Sequence, residues 1–263
     1  MDIYFYQKWF DQFTDQFFSQ KKKKDYPLIL KKNHTQRVCE IILSICNDLN
    51  LPDETKSLAQ IIALFHDLGR FEQYARYGTF RDSDSVDHGV QSIKDLMKHK
   101  VLKDLSPKQR RIIFNAIRFH NLASIPLNKP KEIVFFIQLI RDADKLDIWN
   151  IFIDYFSNGE TQRNGVLELG VPDKPEISDS ILQALINGKI ALTKDLKTLN
   201  DFKLIQLGWI YDLNFSFSFE WVKQKKIIET ITQLLPQKKE IHQLERRLID
   251  YRDNFLRNHK SNK

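Results

Sequence analysis

Apolar residues recur along this chain with the 3.6-residue period of helices buried on one side. Val38, Ile41, Ile42, Ile45 and Leu49 form one stripe that begins after Asn33 and ends near Pro52. Leu58, Ile61, Ile62 and Phe65 form the next, with Gly69 as its natural stop. A third helix over 88–99 carries Val90, Ile93, Leu96 and Met97. Ser106-Pro107-Lys108-Gln109 is a start signal, with a capping serine, proline at the first position and glutamine three after the cap. Ile112, Ile113, Ala116 and Ile117 then share one face and lead to His120. A long helix from about Lys131 holds Phe135, Phe136, Leu139, Ile140 and Ala143 and runs through Asp144 toward Phe156.

The stretch 157–175, SNGETQRNGVLELGVPDKP, reads as a lid or a connector. Beyond it the pattern predicts helices over 178–187, 194–212, 219–234 and 237–257, the last charged on most faces. FSFSF at 215–219 alternates like a strand but is too short to change an all-α reading. The expected architecture is a helical core over 1–160 with a helical C-terminal extension, 161–263, packed on it.

Composition fits a soluble, cytoplasmic, globular chain: 42% of its 263 residues are hydrophobic and 29% charged. Eight glycines and eight prolines are too few for a sandwich of short strands and tight turns. No apolar run approaches the roughly 18 residues of a membrane helix. MDIYFYQKWF at the start lacks the pattern of a signal peptide. Cys39 and Cys46 lie on one helix about 10 Å apart, too far for a disulfide, and read as reduced, half-buried thiols. The net charge of +7 is compatible with an anionic partner, but the basic residues are spread along the chain. The densest cluster, KKKK at 21–24 with Lys31 and Lys32, reads first as a solvated loop and second as a phosphate-attracting rim.

Candidate chemistry lies where these helices would otherwise be apolar. His34 opens the first stripe, His66 and Asp67 close the second, His88 opens the third, and His120 closes the fourth. Asp144 lies mid-helix in the fifth, inside IRDADKLD. Each alone is ordinarily a cap or a surface ion pair. His99, His242 and His259 sit among charged residues and read as solvated. Together, imidazoles and carboxylates suit borderline and hard cations such as Mn, Fe, Co, Ni, Zn and Mg. Six such ligands in a helical bundle could hold two ions about 3.5–4 Å apart.

The order His34, His66-Asp67, Asp144 resembles the HD superfamily of metal-dependent phosphohydrolases. His88 and His120, between the doublet and the last aspartate, resemble its two-metal branch, and HDLGRF and DADKLD are similar to its motifs. The resemblance covers about residues 25–160 and implies an all-helical core. It implies two divalent ions on His34, His66, Asp67, His88, His120 and Asp144, with Asp67 as the bridge. It also implies phosphoester hydrolysis by a metal-activated hydroxide, with a nucleotide as the favoured substrate class.

Arg70 and Lys145 are candidates for a catalytic contact with phosphate beside Asp67. Arg70, Arg76, Tyr77, Thr79, Arg81 and Asn121 are candidates for binding the substrate, Gly78 supplying a turn between them, and Glu72 is a weaker candidate for ordering a water. Alternatives on the same ligand set are a di-iron oxygenase and a non-catalytic nucleotide sensor. A nuclease is less favoured, because no basic groove interleaved with aromatics is apparent.

Overall fold

The computed structural model describes residues 1–19, 22–157, 168 and 170–260, and among them there is no strand. The all-α expectation holds. The 157–175 stretch lies mostly outside the described residues, as does Lys21. The chain divides into two compact units, Met1–Asp147 and Ile148–Lys263.

The first unit comprises α1 (Ile3–Asp15), α2 (Lys22–Asp48), α3 (Asp53–Phe65), α4 (Gly69–Tyr77), α5 (His88–Lys98), α6 (Pro107–Phe119) and the first part of α7 (Lys131–Ser157). Apolar Leu58 to Phe65 makes α3 the central helix: Ile61, Ile62, Ala63 and Phe65 are wholly buried. It packs against α1, α2 and α6. The sequence pattern assigned no helix to the N-terminus. Asp2 caps α1 by accepting from the Phe5 amide at 3.2 Å. Phe10 of α1 meets Phe65 and Phe71 with ring centroids 6.5 and 6.0 Å apart. Burying a ring of this size stabilises the fold by about 1.5–3 kcal/mol.

Three boundaries differ from expectation. α2 begins at Lys22, so Lys31 and Lys32 lie on a helix, not in a loop, and His34 lies within that helix. The helix over 58–65 ends at Phe65, and Gly69 starts α4 instead of stopping α3. Gly78, at φ 65°, ends α4. The predicted start of α6 is present in full, with Ser106 and Gln109 capping each other. Cys39 and Cys46 are free and fully buried, not half-buried, and burial pushes their thiols up to about 12 and about 11.

The second unit continues with α8 (Asp179–Ile186), α9 (Leu199–Gly208), α10 (Ser216–Gln224), α11 (Ile227–Gln233) and α12 (Lys239–Lys260). The expected helix over 194–212 is α9 flanked by short 3-10 turns, because Thr198 and Asp201 form a capping box and start it late. Of FSFSF, Phe215 is the extended N-cap and 216–219 are helical, with Phe219 stacked on Phe255 at 3.8 Å between ring centroids. The expected helix over 219–234 is two helices, broken at Lys226, whose φ of 51° is left-handed. α12 is less uniformly charged than it reads, since Ile241, Leu244, Leu248 and Leu256 form a buried stripe that also holds Arg252.

Candidate metal centre

Between α3 and α4 the chain tightens. Leu68, Arg70 and Phe71 donate to the carbonyls of Phe65, Asp67 and Leu68, each three residues back. His66 keeps right-handed helical torsions of −57° and −42°. Nε2 of His66 and Oδ2 of Asp67 still come within 3.7 Å of each other. Ser92 of α5 fixes this turn, donating to the His66 carbonyl at 3.1 Å and accepting from the Gly69 amide at 2.7 Å. Gly69 is required for the approach: a Cβ there would lie 2.4 Å from the His88 carbonyl oxygen.

Four buried histidines converge on this turn, each with Nδ1 already committed. His34 Nδ1 donates to Asp147 Oδ2 at 2.7 Å, and His88 Nδ1 to Asp82 Oδ2 at 2.6 Å. His66 and His120 donate to the carbonyls of Ala63 and Ile117, both at 2.7 Å. An acceptor oxygen at every Nδ1 fixes one tautomer and leaves Nε2 as a bare lone pair.

Those lone pairs meet acceptors. Nε2 of His34 and of His66 lie 3.1 and 3.7 Å from Asp144 Oδ1, and both are 3.7 Å from Asp67 Oδ2. On the other side, His88 and His120 approach Asp67 Oδ1 at 3.2 and 3.9 Å, and their own Nε2 atoms are 3.1 Å apart. Asp67 therefore offers one oxygen to each half. Nε2 of His34 and of His66 are buried without a hydrogen-bond partner among the described residues. Such orphaned atoms are costly unless a cation satisfies them. Nitrogen and oxygen ligands at these separations fit a divalent ion with bonds of about 2.0–2.2 Å. Two overlapping triads, His34-His66-Asp144 and His66-Asp67-His120, could each hold an ion.

The electrostatics follow the same division. Burial works against charge on Asp67 and Asp144, but the surrounding cations and imidazoles hold both well below the usual carboxylate range. Burial and the neighbouring imidazoles push His120 down to about 3, and burial with Arg70 lowers His88. His34 goes the other way: burial and Lys31 oppose its charge, but Asp144 and Asp147 outweigh them. Asp82 is held at about 2, burial being outweighed by His88, Arg70 and Gln73.

Of the other residues singled out from sequence, Lys31, Arg70 and Asn121 reach this cluster, Lys31 with its Nζ 2.5 Å from Asp67 Oδ2. Arg70 places Nε 3.3 Å from Asp67 Oδ1, and its Nη1 bonds Asp82, Gln73 and the Phe80 carbonyl. Asn121 donates to Asp82 Oδ2 at 3.2 Å. Lys145 is buried and donates to the Arg141 carbonyl of its own helix. Arg76 is 63% exposed and pairs with Glu72, while Arg81 pairs with Asp84 and Tyr77 is exposed. Thr79 accepts from the Arg81 amide. Glu72 accepts from Gln91 Nε2 at 3.1 Å. His99, His242 and His259 are exposed, as expected.

Sequence reasoning passed over Asp82, Asp147 and Arg141. Asp147 lies one turn after Asp144, so the i,i+3 spacing could have revealed it. Asp82 had no such periodicity, lying in a 3-10 turn. Arg141 donates to the carbonyls of Phe119, His120 and Leu122, and so holds the end of α6 that presents His120. Its role depends on a fold-level contact.

The family model described as HD domain matches residues 32–149. That span contains all six candidate ligands. No curated protein and no solved structure matches the chain. Among the described residues no helix is long and apolar enough to cross a membrane.

Proposed function

This chain belongs to the HD superfamily through residues 32–149, and from that premise we propose that it is a metal-dependent phosphohydrolase acting on a phosphomonoester or phosphodiester. The superfamily is largely one of metal-dependent hydrolases that bind divalent metals. The observation that carries the reading is the set of four buried imidazoles whose Nδ1 atoms are all spent on acceptors, leaving every Nε2 aimed at the Asp67 and Asp144 oxygens.

In this proposal His34, His66, Asp67 and Asp144 hold one ion, and Asp67, His88 and His120 the second. Bound divalent ions supply a water of lowered pKa and positive charge for phosphoryl oxygens. Asp82 and Asp147 hold His88 and His34 in the tautomer that binds metal. Arg70, kept in place by Asp82, Gln73 and the Phe80 carbonyl, turns a forked donor toward the phosphate. Asn121 braces Asp82 from the other side. A nucleotide is the favoured substrate class, on the family resemblance alone.

The test is elemental analysis of protein purified without chelators, followed by a nucleotide and phosphoester panel with added Mn. Bound divalent metal and Mn-dependent phosphate release are expected. Absence of metal binding, or hydrolysis unaffected by EDTA stripping, overturns the reading. Oxygen consumption by an iron-loaded sample with no phosphate release would point to an oxygenase instead.

A further inference from the structure

Lys31 and His34 are three apart on α2 and therefore share a face. Lys31 Nζ lies 2.5 Å from Asp67 Oδ2, the oxygen that His34 and His66 approach at 3.7 Å. The Lys31 side chain is 21% exposed against 4% for Asp67, so the ammonium stands between the buried centre and solvent. Arg70 mirrors it on Oδ1, 15% exposed, and both cations lie 5.9 Å from the centroid of the Phe80 ring. The two oxygens of Asp67 thus each carry one side-chain cation at the mouth of the site.

The two cations are not equivalent. Arg70 is fixed by bonds to Asp67, Gln73, Phe80 and Asp82. The hydrogen bond described for Lys31 is the one to Asp67. An ammonium on a flexible stem, with three rotatable donors, can reorient where a pinned guanidinium cannot.

Resting on the phosphohydrolase reading above, we propose that Lys31 competes with a divalent ion for Asp67 Oδ2, and that the displaced ammonium then binds the anionic group of the substrate. An ion held by His34, His66 and that oxygen would sit beside a like charge, so the ammonium must leave the carboxylate. Its partial exposure keeps it at the opening, where it can meet an incoming phosphate. A single side chain thereby opposes metal loading and favours phosphate binding.

These opposite signs separate the proposal from a merely structural role, which would weaken both. The full chain is stripped of metal and titrated with Mn; the Mn-loaded protein is then titrated with inorganic phosphate. Wild type, Lys31→Met, Lys31→Gln and Lys31→Arg are compared, with thermal melts to check folding. Methionine retains the packing of the stem. Lys31→Met is expected to bind Mn more tightly, by about threefold or more, and phosphate about tenfold more weakly, the loss of one charge-assisted hydrogen bond. Lys31→Gln should follow it, and Lys31→Arg should retain phosphate affinity. Unchanged or weaker Mn binding in a folded neutral variant overturns the competition, and unchanged phosphate affinity overturns the substrate contact. If wild type itself binds no Mn, the phosphohydrolase reading has failed instead.

Discussion

Asp147 Oδ2 accepts from His34 Nδ1 at 2.7 Å, and so directs the opposite nitrogen of that ring to within 3.1 Å of Asp144. Two aspartates three residues apart on α7 thus flank the two nitrogens of one imidazole. The same Asp147 takes Arg37 Nε at 2.6 Å and Nη2 at 3.0 Å, which balances its buried charge. Asp147→Asn preserves shape but loses the anion that makes the imidazole a better donor to metal. Affinity for the first ion is expected to fall about 10–100-fold. Mn titration of stripped protein measures this. An unchanged dissociation constant would reduce Asp147 to a partner of Arg37 alone.

His88 and His120 bring their Nε2 atoms to 3.1 Å of each other, on the Oδ1 side of Asp67. Without them the second ion would keep Asp67 Oδ1 as its protein ligand, which is too little to hold it. The double change His88→Ala/His120→Ala is expected to lower metal content from about two to about one per chain, and turnover by two or more orders of magnitude. Elemental analysis beside wild type decides it. Equal metal in both would make the centre mononuclear and these histidines positioning groups.

The parts of this centre that could be read from sequence are those that break a period. His66-Asp67, His88 and His120 stand at helix ends, where apolar stripes stop, and Asp144 interrupts one. The helices behind them were equally readable, because Leu58, Ile61, Ile62 and Phe65 repeat cleanly. Asp82 lies in a 3-10 turn, and Arg141 works through carbonyls of another helix, so no local pattern marks either. α4 was hidden because Gly69 looks like a stop. Its lack of a Cβ serves the approach to His88, a reason that exists only once α5 is in place. The break at Lys226 was equally silent, since lysine carries no signal for a left-handed residue.

Gly69 gives a separate test of how the HD turn is held. An added methyl would lie 2.4 Å from the His88 carbonyl oxygen, 2.6 Å from the Ser92 nitrogen and 2.8 Å from Gln91 Cβ. Two of these neighbours are backbone and cannot yield without moving α5. Gly69→Ala is expected to destabilise the fold by about 1–3 kcal/mol, as overpacking does. It should also displace His88 and weaken the second ion more than the first. Melting curves and Mn stoichiometry measure both. A melting temperature within a degree of wild type would mean that α5 is free to shift.

A last expectation concerns Asp95, which lies outside the metal centre. It is buried on α5 and receives Gln91 Nε2 at 2.9 Å on Oδ1, while its Oδ2 has no hydrogen-bond partner among the described residues. Burial, and the Glu72 carboxylate beside it, push its carboxyl up to about 7. In the unfolded chain the same group titrates near 3.9. Between those values the folded state holds a proton that the unfolded state has released, so stability falls as pH rises from about 4 to about 7. Below that window both states are protonated and the loss is absent; above it the loss is complete. Asparagine mimics the protonated acid and carries no charge at any pH. Asp95→Asn should therefore match wild type near pH 4 and exceed it at pH 8 by a few kcal/mol, at about 1.4 kcal/mol per pKa unit. Denaturant melts of both proteins across this range provide the measurement. A difference that does not change with pH would show that burial does not hold a proton on Asp95 in the folded chain.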